Sequence, residues 1–188
     1  MSIKTQKQIY HLTALSNLAS ILKFGLLPRS KVGNFRDVAD EKIIAKREEL
    51  GLNTKVPFHF FANNPFDGRV LSDHPDEDFV LIAVSRTVAE KQKWWVVDKH
   101  PLATDVKVYS DYKEGMAAIE WDVMDKREYK DAHCKLICMA ECVAPDTVPV
   151  SDFASFYVKD KKANEIVMKL LAEFKVKKYV DINAGMFK

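Results

Sequence analysis

Three short apolar runs constrain what this chain can fold into. Residues 79–85 (FVLIAVS) are almost uniformly apolar, 56–62 (VPFHFFA) are apolar and aromatic, and 135–143 (KLICMAECV) form the third. Short runs without polar alternation, rich in β-branched or aromatic residues, read as strands buried on both faces. They predict the centre of a sheet. With 188 residues and 47% hydrophobic content, the chain has apolar material for one core, so a single domain over 1–188 is expected.

Helical and edge segments fill in around these runs. Residues 8–13 (QIYHLT) predict a strand that runs into a helix carrying Leu15, Leu18, Ile21 and Leu22, with Thr13 as N-cap and Gly25 as its stop. Residues 37–50 (DVADEKIIAKREEL) predict a charged helix with a narrow apolar face of Ile43, Ile44 and Leu50, and Asp37, Asp40 and Glu41 suit its first turn. NNPFDGR at 63–69 reads as a turn. Residues 94–97 and 106–109 predict short strands, 112–129 a weak helix, 153–158 a strand, 160–174 a clear amphipathic helix, and 178–182 a last strand. The class is α+β.

The chain's bulk properties exclude several functions. No apolar run approaches the roughly 20 residues that span a bilayer, and the opening MSIKTQKQIYHL is too polar for a signal peptide, so no membrane partner and a cytoplasmic location are expected. Basic and acidic residues nearly balance, 29 against 27, so a nucleic-acid contact would have to be a local patch. Cys134, Cys138 and Cys142 are odd in number and spaced by four, which is no disulfide framework. On a helix that spacing would align three thiolates for a metal; without a CxxC, and with His133 alone nearby, buried packing is the simpler reading and no metal is expected. GxGxxG, Walker, GxSxG and HExxH motifs are all missing.

Within the third apolar run stands Glu141. A carboxylate among apolar neighbours needs a partner or a raised pKa, and such groups gather at active sites. A strand end at which Glu141 reaches solvent or Lys135 satisfies the same residues. His11, at the end of the first strand, reads as structural or functional. Arg47 lies one turn from Ile43 and Ile44 and can turn inward, or stay solvated on a charged helix.

In combination these residues resemble a known family. Tyr10-His11-Leu12-Thr13, Asn17-Leu18, Ile21-Leu22 and Gly25-Leu26-Leu27 are similar to the opening signature of the DarT family of DNA ADP-ribosyltransferase toxins. Val38-Ala39-Asp40 with Ile43 and Arg47 resembles its acidic-to-arginine helix, Val56-Pro57-Phe58-His59-Phe60 its VPF-aromatic strand, and Ala140-Glu141 with Val143 its catalytic strand. The pieces span about residues 8–145, in the family's order. Two departures stand out: Lys135 occupies a position, six before the glutamate, where the family commonly has arginine, and HFFANNPFDGR replaces a proline-and-serine loop ahead of a methionine.

The resemblance implies a single-domain ADP-ribosyltransferase-like fold, a split mixed β-sheet with flanking helices, and NAD as co-substrate. It implies that Glu141 is catalytic together with Arg47, that Arg47 also holds phosphate, and that His11, Thr13 and Asn17 contact NAD. A positioned carboxylate stabilises the cationic centre formed as a glycosidic bond breaks, and can help remove a proton from an incoming base nitrogen. A planar arginine fork suits a pyrophosphate.

The acceptor implied is single-stranded DNA, because the modified nitrogen is hidden in a duplex. Lys135, Trp94, Trp95 and His100 offer basic and aromatic contacts for unstacked bases, or an ordinary aromatic strand with a solvated face. RNA as the target and a non-catalytic nucleic-acid-binding relative are the alternatives. Family likeness further implies a toxin of a toxin-antitoxin or phage-defence system, with a macrodomain-type antitoxin as partner.

Overall fold

The computed structural model describes residues 2–33 and 41–188, with only the backbone of residues 41 and 42. Asp37, Val38, Ala39 and Asp40, expected at the start of the arginine helix, lie outside the described residues, as does the Glu41 side chain. In chain order the elements are β1 (Gln8–Ala14), α1 (Leu18–Phe24), α2 (Glu41–Glu49), β2 (Val56–His59), α3 (Pro65–Asp73), β3 (Phe79–Ser85), α4 (Arg86–Lys91) and β4 (Trp95–Val97). Then come β5 (Val108–Tyr109), α5 (Tyr112–Ala118), α6 (Trp121–Lys126), α7 (Ala132–Ile137), β6 (Glu141–Ala144), β7 (Phe153–Val158), α8 (Lys161–Glu173) and β8 (Tyr179–Ile182).

The strands form one mixed sheet in the order β5-β4-β6-β2-β1-β3-β7-β8. Neighbours are antiparallel except β7 and β8, which run parallel. The class is therefore α+β, as expected. Strand β3 is covered on both faces: Val80, Ile82 and Val84 enter a large core with Leu18 and Val167, while Phe79 and Leu81 enter a smaller one with Leu12, Val70 and Phe187. Its unbroken apolar sequence follows from that double burial.

The sheet is not evenly knitted. β1 pairs with β3 along its whole length, from Gln8 opposite Ser85 to Ala14 opposite Phe79, whereas β1 meets β2 only where Tyr10 faces His59. Beyond that pair the two strands diverge. This is the split in the sheet, and the two halves flank a cleft.

Local sequence chemistry explains the remaining elements and several corrections. Thr13 lies inside β1 rather than capping a helix; a 3-10 turn (Leu15–Asn17) intervenes, and Asn17 occupies the α1 N-cap position. Gly25 ends α1 at φ 83°, where a Cβ would come within 2.9 Å of Thr147 Cγ2 and Val148 O. NNPFDGR is not a turn but the start of α3, with Asn64 accepting from Phe66 N and Asp67 N and Pro65 in the first helical turn. The run 135–143 is not one strand: Asp131 caps α7, which ends at Ile137, and β6 begins at Glu141. Cys134 and Cys138 thus belong to α7 and its C-cap, Cys142 to β6, and all three are buried free thiols. Among the described residues, no helix is long and apolar enough to cross a membrane.

Candidate active site

The cleft between the splayed strands has a volume of about 290 Å³. β1 supplies His11 and Thr13 to one wall and β2 supplies Val56 and Pro57 to the other, because the divergence beyond Tyr10 and His59 leaves these positions unpaired across the gap. Asn17, ahead of α1, sits at the Thr13 end, where its Nδ2 donates to Thr13 Oγ1 at 3.2 Å. α2 brings Arg47 in from the side.

Glu141 is the first residue of β6, lying opposite His59 of β2 and Val97 of β4 in the ladder. Arg47 Nη1 donates to both its carboxylate oxygens, at 2.7 Å to Oε1 and 2.5 Å to Oε2. The side chains are only 12% and 7% exposed, so the pair sits in a low-dielectric wall, where each charge offsets the other's desolvation. Arg47 Nη2 is buried with no hydrogen-bond partner among the described residues. An unused, buried guanidinium donor on a cleft wall is suited to an anionic ligand such as a phosphate.

Three imidazoles surround the pair. His11 Nδ1–H donates to the Pro57 carbonyl at 2.7 Å, which fixes the tautomer and leaves Nε2 as an acceptor. Burial holds the ring's pKa down to about 4, so His11 is neutral at physiological pH. His59 is buried, its Nδ1 lies 3.4 Å from Ala140 O, and its ring packs on Phe66 with centroids 5.2 Å apart. Burial depresses its pKa as well. His100 also lines the cleft; its backbone N–H donates to Leu136 O, its Nδ1 accepts from Leu102 N, and partial burial lowers its pKa. Neutral imidazoles leave Arg47 and Glu141 as the charged groups at the centre of the cleft.

The structure therefore gathers His11, Thr13, Asn17, Arg47, Glu141 and His100 in one cleft. The other three residues expected to contact nucleic acid, Trp94, Trp95 and Lys135, lie outside that cleft lining. Trp94 is a core residue at 1% exposure, packed on Phe58 and donating Nε1–H to Gln92 Oε1, so it presents no ring to a nucleic acid. Trp95 is half-buried outside the cleft lining, with Lys55 Nζ 4.3 Å from its ring centroid. Lys135 is exposed on α7, also outside the lining. Reading the sequence alone passed over His59 and Phe66. Alternation along β2 carries the signal for His59: Val56 and Phe58 enter the large core, while His59 belongs to the opposite face.

A carboxylate clamped by arginine at the centre of a narrow cleft can stabilise a developing cation on carbon, and the spare arginine donors can hold an anion beside it. Comparison with known proteins identifies a family. The family described as "ssDNA thymidine ADP-ribosyltransferase, DarT" matches residues 10–188. A Thermosipho africanus protein described as a DNA ADP-ribosyl transferase and DNA ADP-ribosyl glycohydrolase fusion is 26% identical over 167 residues, 82% of this chain. This chain spans 43% of that relative's length.

Solved structures share the fold. Thermus sp. 2.9 DarT with ADP-ribosylated ssDNA superposes with a TM-score of 0.85 at 19% identity, covering 97% of this chain and 96% of that one. The same protein with NAD+ gives 0.82 at 19% identity, covering 98% of each. Thermosipho africanus DarTG with ADP-ribose gives 0.76 at 20% identity, covering 97% of this chain and 51% of that one.

Proposed function

The chain belongs to the DarT family, and from that premise we propose that it transfers ADP-ribose from NAD to a thymidine base of single-stranded DNA. The observation that carries the reading is the Arg47–Glu141 pair, buried in the cleft where β1 and β2 part. His11, with Nδ1 committed to Pro57, offers Nε2 to a ribose hydroxyl, and Thr13 and Asn17 extend polar contacts along the same wall. Arg47 uses its free Nη2 for a phosphate oxygen and orients Glu141 with Nη1. Glu141 stabilises the positive charge that develops as the nicotinamide bond breaks and receives the proton of the attacking base nitrogen.

On the acceptor side, His100 and the exposed Lys135 serve a strand laid across the cleft mouth. Lysine gives a point charge where an arginine would give a fork, so Lys135 contributes attraction to the backbone rather than bidentate geometry. A base must leave its duplex to reach Glu141, which favours single strands. Covalent fusion of a transferase to a DNA ADP-ribosyl glycohydrolase in the Thermosipho relative supports a macrodomain-type antitoxin that reverses the modification. A DNA substrate and such a partner suit a toxin acting in the cytoplasm.

The test is incubation with labelled NAD and separate DNA and RNA oligonucleotides. Wild type labels single-stranded DNA, and Glu141→Ala and Arg47→Ala each lose about 10²–10³ of that rate, the range for removing an electrostatic stabiliser. Equal labelling by wild type and Glu141→Ala would remove Glu141 from the mechanism. Labelling of RNA alone would redirect the substrate assignment.

A further inference from the structure

The stretch that departs from the family's usual loop builds a clamp against the cleft. Asn64 and Asp67 are both 1% exposed at the start of α3. Asn64 Oδ1 accepts from Phe66 N at 2.9 Å and Asp67 N at 3.0 Å, while Asp67 Oδ2 accepts from Asn63 N at 3.0 Å and Asn64 Nδ2 at 2.8 Å. Reciprocal bonding of this kind fixes the entry of a helix. It also holds Asn63 in the left-handed region at φ 60°. Asn63 O in turn accepts from Tyr129 Oη, tying the clamp to the segment that leads into α7.

Between the two clamping residues stands Phe66. Its ring lines the cleft and packs on His59, whose backbone lies opposite Glu141. His59 is the residue of β2 that pairs with Tyr10 of β1, so the Phe66 ring packs at the pair from which the two strands part. Phe66, His59 and Glu141 thus line the same cleft. The ring is half-buried against the smaller core that holds Leu12, Val70 and Phe79, and the buried Asn64–Asp67 clamp fixes the backbone that carries it.

We propose that Asp67 is a positioning residue whose clamp holds Phe66 as a fixed wall, denying water the flank of Glu141 so that the ribosyl carbon is captured by the base. The proposal rests on the transferase reading above. In transfer, the C1′–N bond breaks, nicotinamide leaves with the bonding electron pair, C1′ bonds to the base nitrogen, and that nitrogen's proton passes through Glu141 to solvent. In the competing reaction water takes the base's place, free ADP-ribose forms and a water proton is released. Closed sites suppress this kind of side reaction.

The experiment measures, in one reaction with NAD and a thymidine-containing single-stranded oligonucleotide, the labelled oligonucleotide and the free ADP-ribose. Phe66→Ala and Asp67→Ala raise the ratio of free ADP-ribose to transferred ADP-ribose by about tenfold. Phe66→Tyr, which restores a ring, brings the ratio back toward wild type. Phe66→Ala serves as the independent variant if Asp67→Ala folds poorly. A wild type that labels DNA while both alanine variants keep its product ratio overturns the inference alone. A wild type that labels no oligonucleotide overturns the transferase reading and the inference with it.

Discussion

Buried titratable side chains at the cleft pull stability in opposite directions with pH. His11, at about 4, titrates below its ordinary 6.5, and burial lowers His59 and His100 as well. The unfolded chain binds protons at these positions first, so their contribution is complete above pH 6.5 and is lost as pH falls through the folded values. Asp67 does the reverse: burial raises it from 3.8 to about 7, so its contribution is complete below pH 3.8 and is lost as pH rises toward 7. Each such proton changes stability by at most about 1.4 kcal/mol per pH unit. Asp67→Asn deletes the aspartate's contribution, so its stability in urea is expected to rise more steeply from pH 5 to 6.5 than that of wild type. The same pH dependence in both proteins contradicts the assignment. At this scale the sequence disclosed Glu141 by its apolar neighbours, but His59 was hidden among phenylalanines, and Trp94 looked available only because burial is a property of the fold.

Elements were legible where one periodicity ran unbroken. Ala163, Val167 and Leu171 mark α8 by their spacing, and in the structure Asp160 caps it, its Oδ1 accepting from Ala163 N at 2.9 Å. Asp160→Ala is expected to cost about 1 kcal/mol, typical for a lost N-cap, and Leu171→Ala about 2–5 kcal/mol, typical for a core leucine. Chemical denaturation measures both, and DNA labelling per folded molecule should be unchanged in Asp160→Ala, since α8 contributes nothing to the cleft lining. Boundaries failed where two elements share apolar composition. Residues 135–143 join the end of α7 to β6, and nothing in the run KLICMAECV distinguishes the buried face of a helix from a buried strand. α3 was the opposite case: its Asn-Pro start with Asp three residues on carries an N-terminal signal that the turn-like composition masked.

For the whole molecule, the decisive feature is a sheet that stays continuous while parting locally. β3, β1, β2 and β6 are neighbours in one ladder, yet β1 and β2 share one pair, so the cleft opens in the middle of the fold without cutting its core. No local pattern could show that, because each strand looks equally apolar whether its neighbour is near or splayed. A ligand lying in the split touches both halves: His11 and Thr13 on one side, Arg47 and Glu141 on the other. It binds the folded chain and not the unfolded one. At 100 times its Kd, NAD is thus expected to add about 2.7 kcal/mol to stability. At about 2–4 °C per kcal/mol for a chain of this length, the thermal midpoint should rise by about 5–10 °C. Arg47→Ala, measured at the same NAD concentration, should lose most of that rise, because it removes the guanidinium donor left unpaired in the cleft. Asp160→Ala starts from a lower midpoint and should show the full rise. An equal rise in wild type and Arg47→Ala would place the NAD phosphates elsewhere, and no rise in wild type would leave the split without its ligand.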